Sequence, residues 1–175
     1  MEKEEKIIIV GKSGSGKDYL LRNLVKRGLK YSPKFTTRPK RELEVDGREY
    51  NFITTDEFHK LKESDRIKVY QSFLIKGQDW FYGITKENFN NNQAFIMTPA
   101  EISQIPSEEL MKCFVVYLDI SMEVRRSRIK NRNDDNDSVE RRLSADEIDF
   151  ADFKKYDLKI SDPDFEPSWI YDLMF

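Results

Sequence analysis

A run of four apolar residues, Ile7-Ile8-Ile9-Val10, leads straight into Gly11-Lys12-Ser13-Gly14-Ser15-Gly16-Lys17-Asp18. An amphipathic pattern follows, with Leu20, Leu21, Leu24 and Val25 at helical spacing. Strand, glycine-rich turn, helix is the context that a phosphate-binding loop requires. Gly11, Gly14 and Gly16 permit backbone angles and close approaches that a side chain blocks. The turn amides and the helix start behind them can then point at an anion. Lys17 reaches the outer phosphates of a nucleoside triphosphate in this reading. One position departs from the usual loop: a Ser or Thr that holds magnesium normally follows the lysine, and here it is Asp18. The plain alternative is a glycine-rich turn that binds nothing; the flanking strand and helix favour phosphate.

The chain of 175 residues suits one domain with a sizeable core. Charged residues make up 35%, but 12 Phe and 8 Tyr supply apolar area enough for folding. A net charge of -2 gives no global basic field, so nucleic acid is not an expected partner. The single cysteine, Cys113, excludes an internal disulfide and agrees with a reducing compartment. It sits in an apolar run, which predicts a buried thiol. His59, the one histidine, lies in a charged helical stretch and reads as a surface residue, and no zinc-type spacing exists. The first residues do not read as a signal peptide, and no later run approaches membrane-spanning length. A cytoplasmic protein with no membrane partner is the expectation.

Alternation of period organises the rest. Strands are expected at about Lys6–Val10, Ile67–Ile75, Trp80–Gly83, Ala94–Met97, Cys113–Leu118 and Leu158–Ile160. Helices are expected at about Lys17–Arg27, from Thr54 onward, after Thr85, after Pro99, after Ser121, and over Ser138–Phe153. Asn131–Asp137 reads as a polar break. Strands alternating with helices predict an α/β fold with a parallel sheet covered on both faces. The segment from about Ser32 to Ile84 is richer in extended pieces and reads as an insertion on that core.

A second constellation lies in that insertion: Thr36-Thr37-Arg38-Pro39-Lys40-Arg41-Glu42-Leu43-Glu44-Val45-Asp46-Gly47-Arg48-Glu49-Tyr50-Asn51-Phe52. Read alone it is a charged, solvated loop, and its interleaved acids make it a poor nucleic-acid patch. Arg38 and Arg41, however, can clamp a phosphate with forked donors. Tyr50 adds a hydroxyl, and Glu44 can orient an arginine.

With the phosphate loop, this segment resembles the guanylate kinase family: T-T-R, an Arg three residues on, then E-V-D-G-R-E-Y-N-F. Phe81-Tyr82-Gly83 resembles that family's second tyrosine motif. Arg125–Arg132 and Asp137–Leu143, with Arg141 and Arg142, resemble its lid and the helix after it. The resemblance implies a three-layer P-loop NTPase core over about 1–31, 85–125 and 143–175. It also implies an acceptor-binding insertion over about 32–84 and a lid over about 126–142. The implied activity is phosphoryl transfer from ATP to GMP, with Mg2+. Lys17 and the loop from Gly11 through Lys12, Ser13, Gly14, Ser15 and Gly16 would hold ATP. Arg38, Arg41, Tyr50 and Tyr82 would hold the acceptor phosphate, with Glu44 supporting the arginines. Arg132 and Arg142 would close over the transferring group, with Arg128 assisting.

Departures from the family pattern cluster at the base pocket. Lys34 and Phe35 stand where the family has a guanine-reading serine, Val69 where it has a glutamate, and Ile84 where it has Ser or Thr. An acidic strand end is replaced by Met97-Thr98-Pro99-Ala100. Neither Val69 nor Ile84 can accept from guanine's N–H groups, so a strong preference for GMP is not expected. Asp18 and Thr98 look exchanged relative to the family's hydroxyl and acid, which makes Asp18 the expected magnesium ligand. Its alternative roles are to cap the first helix or to pair with a lid arginine. Three readings follow. The first is a nucleoside monophosphate kinase with changed or relaxed base preference. The second is a kinase of the same fold acting on a phosphosugar, and the third a catalytically degenerate module that binds protein. The missing base readers favour the latter two, while the intact glycines, Lys17 and lid arginines oppose the third.

Overall fold

Three isoleucines and a valine in succession favour extended backbone and offer water no polar side chain, so both faces of Ile7–Val10 must be covered. The computed structural model, which describes residues 6–131 and 139–174, buries all four completely. The first half of the chain forms β1 (Lys6–Gly11), α1 (Lys17–Lys26), β2 (Phe35–Thr36), β3 (Asn51–Phe52), α2 (Thr55–Glu63), β4 (Ile67–Ile75) and β5 (Gln78–Thr85). Then come α3 (Lys86–Asn91), β6 (Ala94–Ile96), α4 (Pro99–Ile102), α5 (Ser107–Leu110) and β7 (Cys113–Leu118). The last elements are α6 (Met122–Asn131), α7 (Val139–Phe150), β8 (Leu158–Ile160) and α8 (Ser168–Met174).

Four strands in the order β6-β1-β7-β8 make an all-parallel sheet, with Ile8 level with both Phe95 and Val115. Alternation along β1 sends Ile7 and Ile9 to one core, with Leu20 and Leu24 of α1 and Ile170 and Met174 of α8. Ile8 and Val10 go to the other, with Phe89 of α3, Ile102 of α4 and Phe150 of α7. Burying each such side chain is worth about 1.5–3 kcal/mol, so β1 alone ties both helical layers to the sheet. The loop that follows β1 therefore starts from a strand held on both faces.

The second sheet, in the order β3-β2-β5-β4, draws all its strands from Phe35–Thr85. β4 and β5 form an antiparallel hairpin through Lys76 and Gly77, both at positive φ (50° and 78°), the arrangement that matches strand twist in a two-residue turn. Capping follows the sequence cues. Thr54 makes a full capping box with Glu57, Thr85 accepts the Asn88 amide, and Thr98 makes a second box with Glu101. The structure adds β2, β3, α5 and α8, which short pieces and weak periodicity hid. It ends α7 at Phe150, where the sequence pattern ran to Phe153. Residues 132–138, which hold all of the expected polar break but Asn131 and also the first residue of the helix expected after it, lie outside the described residues. Cys113 is buried and His59 exposed, as expected. No helix among the described residues is long and apolar enough to cross a membrane.

Candidate active site

The loop between β1 and α1 closes on glycine geometry. Gly14 sits at φ +77°, and a Cβ there would fall 2.8 Å from the Arg125 carbonyl oxygen, so α6 packs against bare backbone. Gly16, at φ +97°, is the N-cap of α1 and receives no side-chain cap. Asp18 therefore does not cap that helix. It is exposed in the helix's first turn and borders the cleft described below. Lys17 Nζ donates to the carbonyls of Gly11 (2.7 Å) and Lys12 (3.2 Å), which folds the ammonium back over the loop.

Two acids of α7 occupy this loop from outside. The Ser13 amide donates to Asp146 Oδ2 at 2.8 Å, and Lys12 Nζ to Glu147 Oε1 at 2.8 Å. Lys12's hydrogen bond holds the Glu147 carboxyl below its usual pKa, with Arg125 adding to the effect. Arg125, only 1% exposed, donates through Nε to the Ile120 carbonyl and pairs with Glu147 at 3.3 Å. A carboxylate resting on a loop amide marks that amide as an anion donor. Sequence reasoning missed Asp146 and Glu147 because they lie more than a hundred positions from the loop.

The charged segment after β2 folds around Arg38. Its guanidinium is 6% exposed, donates to Glu44 Oε1 at 2.6 Å and to the Pro39 carbonyl at 2.9 Å, and stacks over Tyr50. Glu44 Oε2 accepts the Arg41 amide at 2.8 Å. Burial alone lowers Arg38's pKa, but Glu44's hydrogen bond and charge outweigh burial and hold it above its usual value. Burial likewise pushes the Glu44 carboxyl up, and the Arg38 and Arg41 bonds and charges bring it below the usual range. Tyr50 and Tyr82, rings 5.7 Å apart, are both raised, first by burial and against the pull of Arg38. Their hydroxyls stay protonated at neutral pH and can donate.

The depressed Glu44 carboxyl has a consequence in acid. Its contribution to stability is complete above the unfolded-chain value of about 4.3 and fades as pH falls through the lower native value. Thermal melts at pH 7 and pH 3.5 should therefore show a smaller acid loss for Glu44→Gln than for the wild type. Equal losses would remove Glu44 as a source of acid sensitivity.

One cleft of about 760 Å3 joins these pieces. Gly11, Ser13, Lys17 and Asp18 line it on the loop side, Arg38, Arg41, Glu44, Tyr50 and Tyr82 on the insertion side, and Arg142 from α7. Fifteen of the sixteen site residues expected from the sequence fall in the described part; Arg132 lies outside it. Arg128 does not border this cleft. It donates to the Gly14 and Pro163 carbonyls and lines a smaller hollow of about 370 Å3 beyond Gly16, with Tyr19 and Phe165.

The base-pocket expectation needs correction. Val69 and Ile84 are register partners in the β4–β5 hairpin and lie in the core, 0% and 2% exposed, not on the cleft wall. Four polar residues border the cleft instead: Lys34, Gln71, Thr98 and Glu101. Lys34 Nζ meets Glu101 Oε2 at 2.5 Å, and the Thr98 hydroxyl donates to Gln71 Oε1 at 2.7 Å while capping α4. Thr98 is thus committed to this network, and the exchange expected between Asp18 and Thr98 has no support on the threonine side. The T-P-A-E spacing of a capping box was the sequence cue that could have drawn attention to Glu101.

The guanylate kinase family model matches residues 3–171. A guanylate kinase of Wolbachia sp. subsp. Brugia malayi (strain TRS) is 29% identical, over 93% of this chain and 86% of that protein. One of Nostoc sp. (strain PCC 7120 / SAG 25.82 / UTEX 2576) is 32% identical, over 91% and 83%. The crystal structure of guanylate kinase from Anaplasma phagocytophilum superposes with a TM-score of 0.65, covering 99% of this chain and 84% of that one; at 16% identity it shows the shared fold.

Proposed function

The chain belongs to the guanylate kinase family, and from that premise we propose that it moves the γ-phosphoryl group of ATP to the phosphate of a nucleoside monophosphate. The observation that carries this reading is the shared cleft, with a phosphate loop on one wall and an arginine–tyrosine clamp on the other. A phosphate oxygen of the acceptor attacks the γ-phosphorus, the bond to the β,γ-bridging oxygen breaks, and ADP leaves. Such a step asks for in-line positioning and charge neutralisation, not a protein nucleophile. The loop amides and Lys17 hold the ATP phosphates. Arg38 and Arg41, with the hydroxyls of Tyr50 and Tyr82, hold the acceptor phosphate. Arg142, which lines the cleft from α7, would meet the charge that builds on the transferring group, and Arg132 belongs to the same reading. In this reading the hollow lined by Gly16, Tyr19, Arg128 and Phe165 would take the nucleoside end of ATP.

Magnesium, when bound, would screen the β- and γ-phosphates. Asp18, exposed at the cleft beside the loop, would hold it as one oxygen ligand. Asp18→Asn should raise the magnesium needed for half-maximal turnover about tenfold, a loss of about 1.4 kcal/mol, with metal-free ATP binding unaltered. An unchanged magnesium titration would remove Asp18 from that role.

Base recognition in this chain departs from the family pattern at Lys34, Val69, Ile84 and Met97. An ATP-consumption assay against ribo- and deoxynucleoside monophosphates and phosphosugars tests the whole reading. Turnover with nucleotides supports it, turnover with phosphosugars alone replaces the acceptor, and turnover with neither favours a binding module.

A further inference from the structure

Asp146 of α7 sets its carboxylate on the phosphate loop, where Oδ2 accepts the Ser13 amide at 2.8 Å. The peptide between Lys12 and Ser13 is thereby held at both ends, since its oxygen accepts Lys17 Nζ at 3.2 Å. The acid thus stands one peptide from the ammonium that serves the outer phosphates, on a donor that an anion can use. Glu147, the next residue, pairs with Lys12 at 2.8 Å, so two consecutive acids seat α7 on the loop. A second partner lies beside Asp146. Arg125 Nη1 is buried, has no hydrogen-bond partner among the described residues, and lies 3.8 Å from Asp146 Oδ2. Buried donors are nearly always paired, and this one is about 1 Å short of a charge-assisted bond to the same carboxylate. Asp146 also borders the cleft, one helical turn beyond Arg142 on the same face of α7.

We propose that Asp146 is a latch on the phosphate loop: it competes with the phosphates of ATP for the Ser13 amide, and it yields that amide by moving onto Arg125. The proposal rests on the ATP-binding reading of the loop above. A triphosphate brings several negative charges to a loop that already faces one carboxylate. Asp146 is 15% exposed, so little water would screen it from the phosphates if it stayed in place. A shift of about 1 Å brings Oδ2 to the buried guanidinium and frees the amide for the nucleotide, so no polar group is orphaned. The exchange makes ATP binding weaker than the loop alone would allow. It also ties the seat of α7, with Arg142 on it, to occupancy of the loop. Glu147 does not share the role, because it bonds an ammonium rather than the amide.

Calorimetry with ATP and Mg2+, and with inorganic tripolyphosphate, tests the latch in the wild type, Asp146→Ala, Asp146→Asn and Glu147→Gln. Tripolyphosphate reads the loop with no nucleoside attached. Asp146→Ala should bind both about tenfold more tightly than the wild type, a gain of about 1.4 kcal/mol. Asp146→Asn keeps an oxygen for the amide and loses the charge. It should fall between the two, and it preserves the seat of α7 should the alanine variant fail to fold. Glu147→Gln should gain less than Asp146→Ala; an equal gain would show general charge repulsion and overturn the latch. In turnover, Asp146→Ala should lower the KM for ATP and leave the KM of the acceptor as it is, a split that loosened packing of α7 would not give. Affinity that is unchanged or weaker in the Asp146 variants overturns the proposal. A wild type that binds ATP and transfers nothing overturns the phosphotransferase reading instead, and the affinities still decide the latch.

Discussion

Lys17→Ala should lose about a hundredfold to a thousandfold in turnover, the effect of removing one preorganised donor from a transferring group, while melting near the wild-type temperature. The two halves of that expectation have separate origins. The ammonium bonds the Gly11 and Lys12 carbonyls, which border an open cleft and can be rehydrated, so the fold has little to lose. The polyphosphate has no such substitute. Its charge accumulates beside the loop in the transition state, where the amides alone are weaker than amides plus a cation. Calorimetry with ATP and turnover should fall together; ATP binding that is unchanged in Lys17→Ala would contradict the assignment of this loop.

Arg38→Ala should act on both fold and function. Removing a guanidinium that is 6% exposed takes the charged donor from Glu44 Oε1 and leaves the Arg41 amide on Oε2. Breaking a fully buried pair costs about 3–5 kcal/mol, and Glu44's residual contact with water places this one at about 2–3 kcal/mol. The acceptor also loses a charge-assisted bond worth about 1.5–3 kcal/mol, so its kcat/KM should drop roughly tenfold to two-hundredfold. Arg41→Ala separates the two effects. Arg41 is half-buried, so its variant should show the acceptor defect with a much smaller change in melting temperature. Arg38→Lys should rescue stability more than acceptor use, because an ammonium keeps the charge and loses the fork. An Arg38→Ala protein with normal acceptor KM would show that the arginine serves the fold alone.

Much of this was legible in the chain because local chemistry repeats it. Ile7–Val10 could only be a strand covered on both faces, and Gly14 and Gly16 take the positive φ that the loop pattern asked for. Thr54, Thr85 and Thr98 cap the helices that follow them. What escaped was relational. Two-residue strands such as β2 and β3 exist only through their partners, and no window of sequence holds enough of them to show a period. Asp146 reaches Ser13 across the fold, and no local signal links them. The base pocket misled for a subtler reason. Val69 and Ile84 match positions where the family has polar readers, but that pair lies at the end of the hairpin covered by the core, and the next pair on the same face, Gln71 and Tyr82, lines the cleft. Alignment matches positions; which of them face the ligand is settled by packing.

The shared cleft is proposed to transfer phosphate between two nucleotides. Incubation with ATP labelled at the γ-phosphorus and an unlabelled monophosphate, followed by separation of the nucleotides, reads it directly. Label should appear in the diphosphate of the acceptor, and this product should be lost in Lys17→Ala. Label found only in inorganic phosphate, or retained in ATP with every monophosphate offered, would contradict it.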